Sequence, residues 1–308
     1  MIIDFHTHIF PDNVCARIVE GMSIDGGIVH YTNASAAELS ASMKAAGIDY
    51  SVDLPVATRV DQVEKVNSRM IRQRDELLAM GIIAFGCMHP DYPDYKKEIL
   101  RLKDAGIVGI KLHPAYQGYD LNDLRYKRII EAISDAGMIT ISHCGWDIGY
   151  VQHNFASVDM ILEIIKDVAP ERFVAAHMGG WSSWPEITNR LLGAPIWIDC
   201  ACSLGENIPR ADIDNDRPLM YPHNLLPNQF AHMARKQGTD RVLFASDSPW
   251  QDQSQYLQIV KNCGLTADEQ AQILGDNAAR LLESVDIDGA VQALSADSND
   301  FGPDNLSN

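Results

Sequence analysis

Apolar runs rich in β-branched residues recur along the chain, and eight of them read as buried strands. They are Ile2 to His8, Tyr50 to Val56, Ile82 to Met88, Val108 to His113, Met138 to Cys144, Phe173 to Met178, Ile196 to Cys200 and Val242 to Asp247. The segments between them place apolar residues at helical spacing instead. Three of these, SAAELSASMKAAG, DYKKEILRLKDAG and RYKRIIEAISDAG, close on Gly47, Gly106 and Gly137, the residue type that most readily ends a helix in the left-handed conformation. Such alternation predicts an α/β protein with a parallel sheet and right-handed crossovers. Eight strand-helix units are the number that closes a TIM-like (β/α)8 barrel. A doubly wound open sheet would carry a glycine-rich nucleotide loop after its first strand, and DFHTHIF is not one. No linker or short repeat interrupts the pattern, so residues 1–284 are expected to form a single barrel domain. Residues 285–308 turn acidic and rich in Ser, Asn, Asp, Gly and Pro, which predicts a flexible tail.

Composition narrows the partners. The formal net charge is -17 and no dense Lys/Arg run offsets it, which argues against nucleic acid and anionic membrane surfaces. No apolar run approaches the roughly 18 residues of a membrane span. The N-terminus lacks the basic and long apolar regions of a secretory signal, so a soluble cytoplasmic protein with six reduced cysteines is expected.

The chemistry lies at the strand ends. In a barrel the C-terminal ends of the strands face the functional mouth, and here they carry His6 and His8, His89 just beyond the third strand, Lys111 and His113, His143, His177, and Asp247. Side chains two apart on a strand share a face, so His6 and His8 can converge on one point. Imidazole and carboxylate are ligands for a borderline divalent cation, and His6, His8, His143 and Asp247 would bind one while leaving a position for water. A single strand histidine is most often a satisfied core residue, but six at one end of successive strands are not explained that way.

The motifs DFHTH, GIKLHP, ISHCG, AAHMGG and FASDSPW, in this order from Met1 to about Leu282, resemble the amidohydrolase superfamily. The branch is the amidohydrolase-related one that also contains aminocarboxymuconate-semialdehyde-type decarboxylases. The resemblance implies a barrel of the metallo-dependent hydrolase type, with His6, His8, His143 and Asp247 as metal ligands and His177 beside the reacting water or substrate. It implies one divalent ion rather than two, Zn²⁺ first and Mn²⁺ or Fe²⁺ as alternatives, and a homodimer. Lys111 has two readings: a carboxylated lysine bridging a second metal, with His113 beside it, or a plain ammonium for a substrate carboxylate.

With these ligands, Asp247 would accept a proton from an activated water and His177 would stabilise the developing oxyanion, which is hydrolysis of an amide, lactone or ester in a small cyclic or carboxylated molecule. The same ligands serve non-oxidative decarboxylation of a carboxylated phenol or enoate. Trp146, Trp181, Trp184 and Trp250 lie in loops at the mouth and suit a planar substrate, with Gly179 and Gly180 allowing close backbone approach. Arg59, Tyr116, Arg210 and Arg217 are further candidates for binding it. The long loop SLGENIPRADIDNDRPLMYPHN after the seventh strand is expected to act as a lid, and His153 and His223 lie nearby without a spacing argument.

Overall fold

The computed structural model describes residues 1–212 and 224–285 of the chain. Its strands are β1 (Ile3–Thr7), β2 (Tyr50–Asp53), β3 (Ile82–Ala84), β4 (Gly86–Cys87), β5 (Gly109–Leu112), β6 (Ile139–Ser142), β7 (Phe173–Ala175), β8 (Trp197–Asp199) and β9 (Val242–Leu243). All pairings are parallel, in the orders β1-β2-β3 and β4 through β9. Two seams join the pieces. At the first, the Phe85 amide donates to Asp53 O at 3.1 Å, so β3 and β4 are halves of one strand that the sequence pattern reads as continuous. At the second, Phe5 N donates to Phe244 O, Asp247 N to His6 O and His8 N to Ser248 O, each at 2.8 Å. The ring is thus an eight-stranded (β/α)8 barrel.

The helices are α1 (Cys15–Gly26), α2 (Ala36–Ala46), α3 (Val63–Ala79), α4 (Tyr95–Asp104), α5 (Pro114–Gln117), α6 (Leu124–Asp135), α7 (Val158–Asp167), α8 (Trp184–Arg190), α9 (Pro227–Gln237), α10 (Gln253–Lys261), α11 (Ala267–Ala271) and α12 (Asn277–Glu283). The three glycine stops behave alike: Gly47, Gly106 and Gly137 all adopt left-handed φ, and the next amide returns to the last turn, as Ile48 N does to Met43 O. No helix among the described residues is long and apolar enough to cross a membrane. All six thiols are free and buried.

Two apolar layers result. One lies between strands and helices and includes Leu39, Met70, Ile110 and Phe244. The other fills the barrel itself with Ile3, Phe5, Val52, Phe85 and Ile141, floored by Leu281 and Leu282 of α12. Val285, at the start of the expected tail, still packs on this floor, and the tail beyond it lies outside the described residues.

Phe85 stands at the break in the third strand. Its ring enters the barrel over Gly109, where an added Cβ would sit 2.1 Å from a ring carbon. Gly109→Ala is therefore expected to cost about 1–3 kcal/mol by overpacking. Urea unfolding checks this, and Phe85→Leu in the same chain should recover part of the loss.

One irregularity sets up the mouth. On β1, Asp4 pairs with Ser51 and Thr7 with Asp53, so three steps along β1 pass two along β2. This bulge resets the alternation. Phe5 fills the interior, yet His6 also turns inward, while Asp4 points out to Ser246 and to Gln253 of α10.

Candidate metal centre

Four imidazoles gather at the C-terminal end of the barrel, and each ties one nitrogen to an oxygen acceptor. His6 Nδ1 lies 2.9 Å from Asp199 Oδ2, His8 Nδ1 2.9 Å from Leu54 O, His177 Nδ1 2.9 Å from Ala201 O, and His143 Nε2 3.1 Å from Trp146 O. Those acceptors place an N–H on each of these nitrogens and leave a lone pair on the other. The remaining nitrogens converge. His6 Nε2 is 3.0 Å from Lys111 Nζ and 3.5 Å from Asp247 Oδ1, and His8 Nε2 is 3.2 Å from the same oxygen. His143 Nδ1 and His177 Nε2 stand 3.0 Å apart.

Proton counting shows what this arrangement suits. With both outer nitrogens of the His143–His177 pair donating to carbonyls, a proton between the inner two would make the pair cationic. Burial opposes that, holding the His143 pKa well below its usual value and lowering that of His177. Two lone pairs then face each other, an arrangement relieved by a cation beside them. The donor set, imidazole nitrogens with an Asp247 carboxylate, fits a divalent ion. Burial alone would raise the Asp247 pKa, but the surrounding imidazoles of His6, His8 and His177 outweigh it and hold the carboxyl well below the carboxylate range. Burial lowers Lys111 to about 8 against the pull of Asp199 and Asp247.

The backbone bends to build this. His177, Met178 and Asp247 all have positive φ, a conformation ordinary residues adopt only where the surroundings enforce it. Asp199 does much of the enforcing: besides holding the His6 ring, its Oδ1 accepts from His177 N at 2.8 Å and Ala201 N at 3.1 Å. Sequence reading passed over Asp199, although an acid within an apolar strand was a usable signal.

His143, His113 and Asp147 form a second group whose ligand atoms also lie within 4.8 Å of one another. Here the protons point the wrong way for a metal. His113 Nδ1 accepts from Tyr116 N, so its Nε2 carries the proton, as does His143 Nε2, and both face Asp147 Oδ2 at 3.8 Å. His113 is thereby a hydrogen-bonding neighbour, stacked between Tyr116 at 3.9 Å and His143 at 4.4 Å. Asp147, which burial pushes up to about 6, was missed in the sequence.

A cavity of about 960 Å³ opens from this centre. Trp146, Trp181, Trp250, Tyr116 and Arg59 line it, but other expected residues do not. Trp184 is buried on α8, and Arg210 is held by Glu20 and Asp212. Gly179 and Gly180 serve chain packing, since a Cβ on either would press on Leu191 or Ile187. His89 turns away beyond the strand break to accept from Asp91 N, and His153 pairs with Asp120 at the surface. Arg217, His223 and the middle of the expected lid lie outside the described residues. Residues of α1 and α3, among them Met22 and Arg69, complete the wall. Nothing in the strand-end pattern could have found them.

Asp53, at the end of β2, is fully buried, with Oδ1 accepting from Ile9 N and Oδ2 without a partner. Burial raises its pKa from 3.8 to about 6. A carboxyl whose folded pKa lies above its unfolded value binds more protons when folded, so stability falls as pH rises from about 4 to 6 and stays lower above. Asp53→Asn should remove this fall, on the order of 2–3 kcal/mol, as read from urea unfolding across that range.

The family model described as Amidohydrolase matches residues 3–283. The chain belongs to this amidohydrolase family, in the branch whose solved structures include decarboxylases as well as amidohydrolases. Among solved structures it is similar to an uncharacterised TIM-barrel protein of Bordetella bronchiseptica, at 19% identity and TM-score 0.69, covering 92% of this chain and 99% of that one. Similarity extends to 5-carboxyvanillate decarboxylase of Sphingomonas paucimobilis, at 14% identity and TM-score 0.66, covering 92% and 98%. A candidate 2-pyrone-4,6-dicarboxylic acid hydrolase of Pseudomonas putida matches at 13% identity and TM-score 0.61, covering 92% and 97%. No curated protein matches the chain significantly.

Proposed function

We propose that the protein is a metal-dependent hydrolase that opens an amide, lactone or ester bond in a small cyclic or carboxylated substrate. The observation that carries this reading is the set of inward lone pairs on His6, His8, His143 and His177 gathered around Asp247. His6, His8, His143 and Asp247 would hold one divalent cation, with Zn²⁺ the first expectation and Mn²⁺ or Fe²⁺ the alternatives. Such an ion supplies positive charge that lowers the pKa of water to about 7 and polarises a substrate oxygen. Asp247 engages the histidines through Oδ1, while its Oδ2 makes no hydrogen bond among the described residues. That free oxygen accepts a proton from the attacking water and returns it to the leaving group. His177 steadies the developing oxyanion, and the tryptophans pack on the ring of the substrate.

Decarboxylation is the second reading, supported by the likeness to 5-carboxyvanillate decarboxylase and by Lys111, an ammonium donor beside the same centre. Incubating metal-loaded protein with lactones, cyclic amides and carboxylated phenols separates the two. Ring-opened acids are the expected products. Release of CO₂ without hydrolysis would overturn the hydrolase reading, and purified protein that neither holds nor takes up a divalent ion would overturn both. About one ion per chain is expected; two would assign Lys111 to the metal.

A further inference from the structure

The chemistry proposed at Asp247 leaves the other buried carboxylate of the cavity without a task. Asp147, in the loop after β6, lines the cavity and is 7% exposed. One side of its carboxylate serves its own loop, where Oδ1 accepts from Gly149 N at 2.8 Å. Oδ2 stands 3.8 Å from both His113 Nε2 and His143 Nε2, too far for a hydrogen bond, and makes none among the described residues. Both rings are held elsewhere: His143 Nε2 donates to Trp146 O at 3.1 Å, and His113 is stacked between Tyr116 and His143. Neither ring closes on Oδ2 without giving up a contact it already makes.

A buried carboxylate oxygen short of donors is a site for one, since leaving it unmet carries a desolvation cost. His143 fixes where that donor lies. Its Nδ1 faces His177 at the centre and its Nε2 faces Asp147, so one imidazole ring separates the centre from the open oxygen. A cationic ligand is disfavoured, because the Lys111 charge already reaches Asp147 and an ion at the centre adds to it.

We propose that Asp147 is a specificity-determining residue whose Oδ2 accepts a hydrogen bond from a neutral N–H or O–H of the substrate, next to the bond that reacts. The substrate class is then a compact ring carrying such a donor beside its reacting carbonyl. An isostere with an ether-type oxygen at that place is rejected, because two acceptors would face each other. This deepens the hydrolase reading and rests on it only for which carbonyl reacts; the donor contact stands on the Asp147 geometry.

The lactam 3,4-dihydroquinolin-2-one and its oxygen isostere 3,4-dihydrocoumarin are suitable probes, titrated calorimetrically into chelator-treated protein so that turnover does not obscure binding. The lactam is expected to bind about tenfold more tightly than the lactone. A second pair, 2-naphthol and 2-methoxynaphthalene, shows whether an O–H serves as well as an N–H. Asp147→Asn keeps an oxygen for Gly149 N and puts a donor in place of Oδ2, so the preference should vanish or reverse with the thermal midpoint unchanged. N-methylation of the lactam removes the donor from the ligand instead, and should weaken binding to the wild-type protein even if the variant misfolds. A wild-type protein with no preference in either pair overturns the proposal, as does a preference that survives Asp147→Asn or is lost in Asp247→Asn or Tyr116→Phe instead. Metal-loaded protein separates the two readings: a lactam preference without ring opening of either probe counts against the hydrolase reading and leaves the Asp147 contact standing. Ring opening of both probes with equal affinity does the reverse.

Discussion

Asp247→Asn is expected to lower kcat/KM by about 10³-fold on whichever substrate the panel identifies, with the fold intact. The substitution keeps the size of the side chain and removes both its charge and its ability to accept a proton. Because Oδ1 sits between His6 and His8, the affinity for a divalent ion should fall as well. Metal titration of the chelator-treated variant, alongside circular dichroism, distinguishes the two losses. If Asp247→Asn binds metal and turns over as the parent does, the assignment of Asp247 as ligand and base fails.

The largest stability effect is expected at Gly145, in the loop that follows His143. Its φ is 85°, and an added Cβ would stand 2.2 Å from Trp181 N and 2.4 Å from Gly180 C. Those are backbone atoms of the loop after His177, so no side chain can swing aside. Around this contact Trp181 N donates to Cys144 O at 2.9 Å and Trp146 N to Trp181 O at 3.1 Å, which clamps the two loops together. Gly145→Ala combines an unfavourable φ with a backbone clash, and about 3 kcal/mol or more is expected. Denaturant unfolding measures it. Because the same clamp fixes the distance between His143 and His177, metal uptake should weaken in any fraction that remains folded. Gly118→Ala, at a similar φ of 74° but with open space around it, isolates the clash from the strain and should cost less.

The strand ladder was legible because parallel barrel strands are buried on both faces and read as continuous apolar runs. The helix stops were legible because glycine alone tolerates their left-handed turn well. Five of the six strand-end histidines reach the cavity for the same reason: they extend strands whose direction the sequence reveals. His89 does not: it lies beyond the interruption of the third strand at Phe85, where that ring packs over Gly109 with no local signature in the sequence. The β1 bulge was equally silent, since it exists only relative to β2. Arg59 and Arg69 make the sharpest contrast. Proximity to a strand end favoured Arg59, which the structure pairs with Asp61, whereas Arg69, a helical arginine that periodicity alone would assign to an ordinary amphipathic face, lines the cavity.

The seam between β1 and β9 is where the first and last strands of the chain meet. His6 and His8 come from one side of it and Asp247 from the other, joined by the amide of Asp247 on His6 O. On the proposed assignment, a ribosome-bound chain would have made His6 and His8 long before Asp247, the last of the four ligands, and could not capture an ion with the full set. Metal capture would wait for the ring to close, and the ion would then act as a clasp, making retention of metal a direct gauge of whether that closure persists.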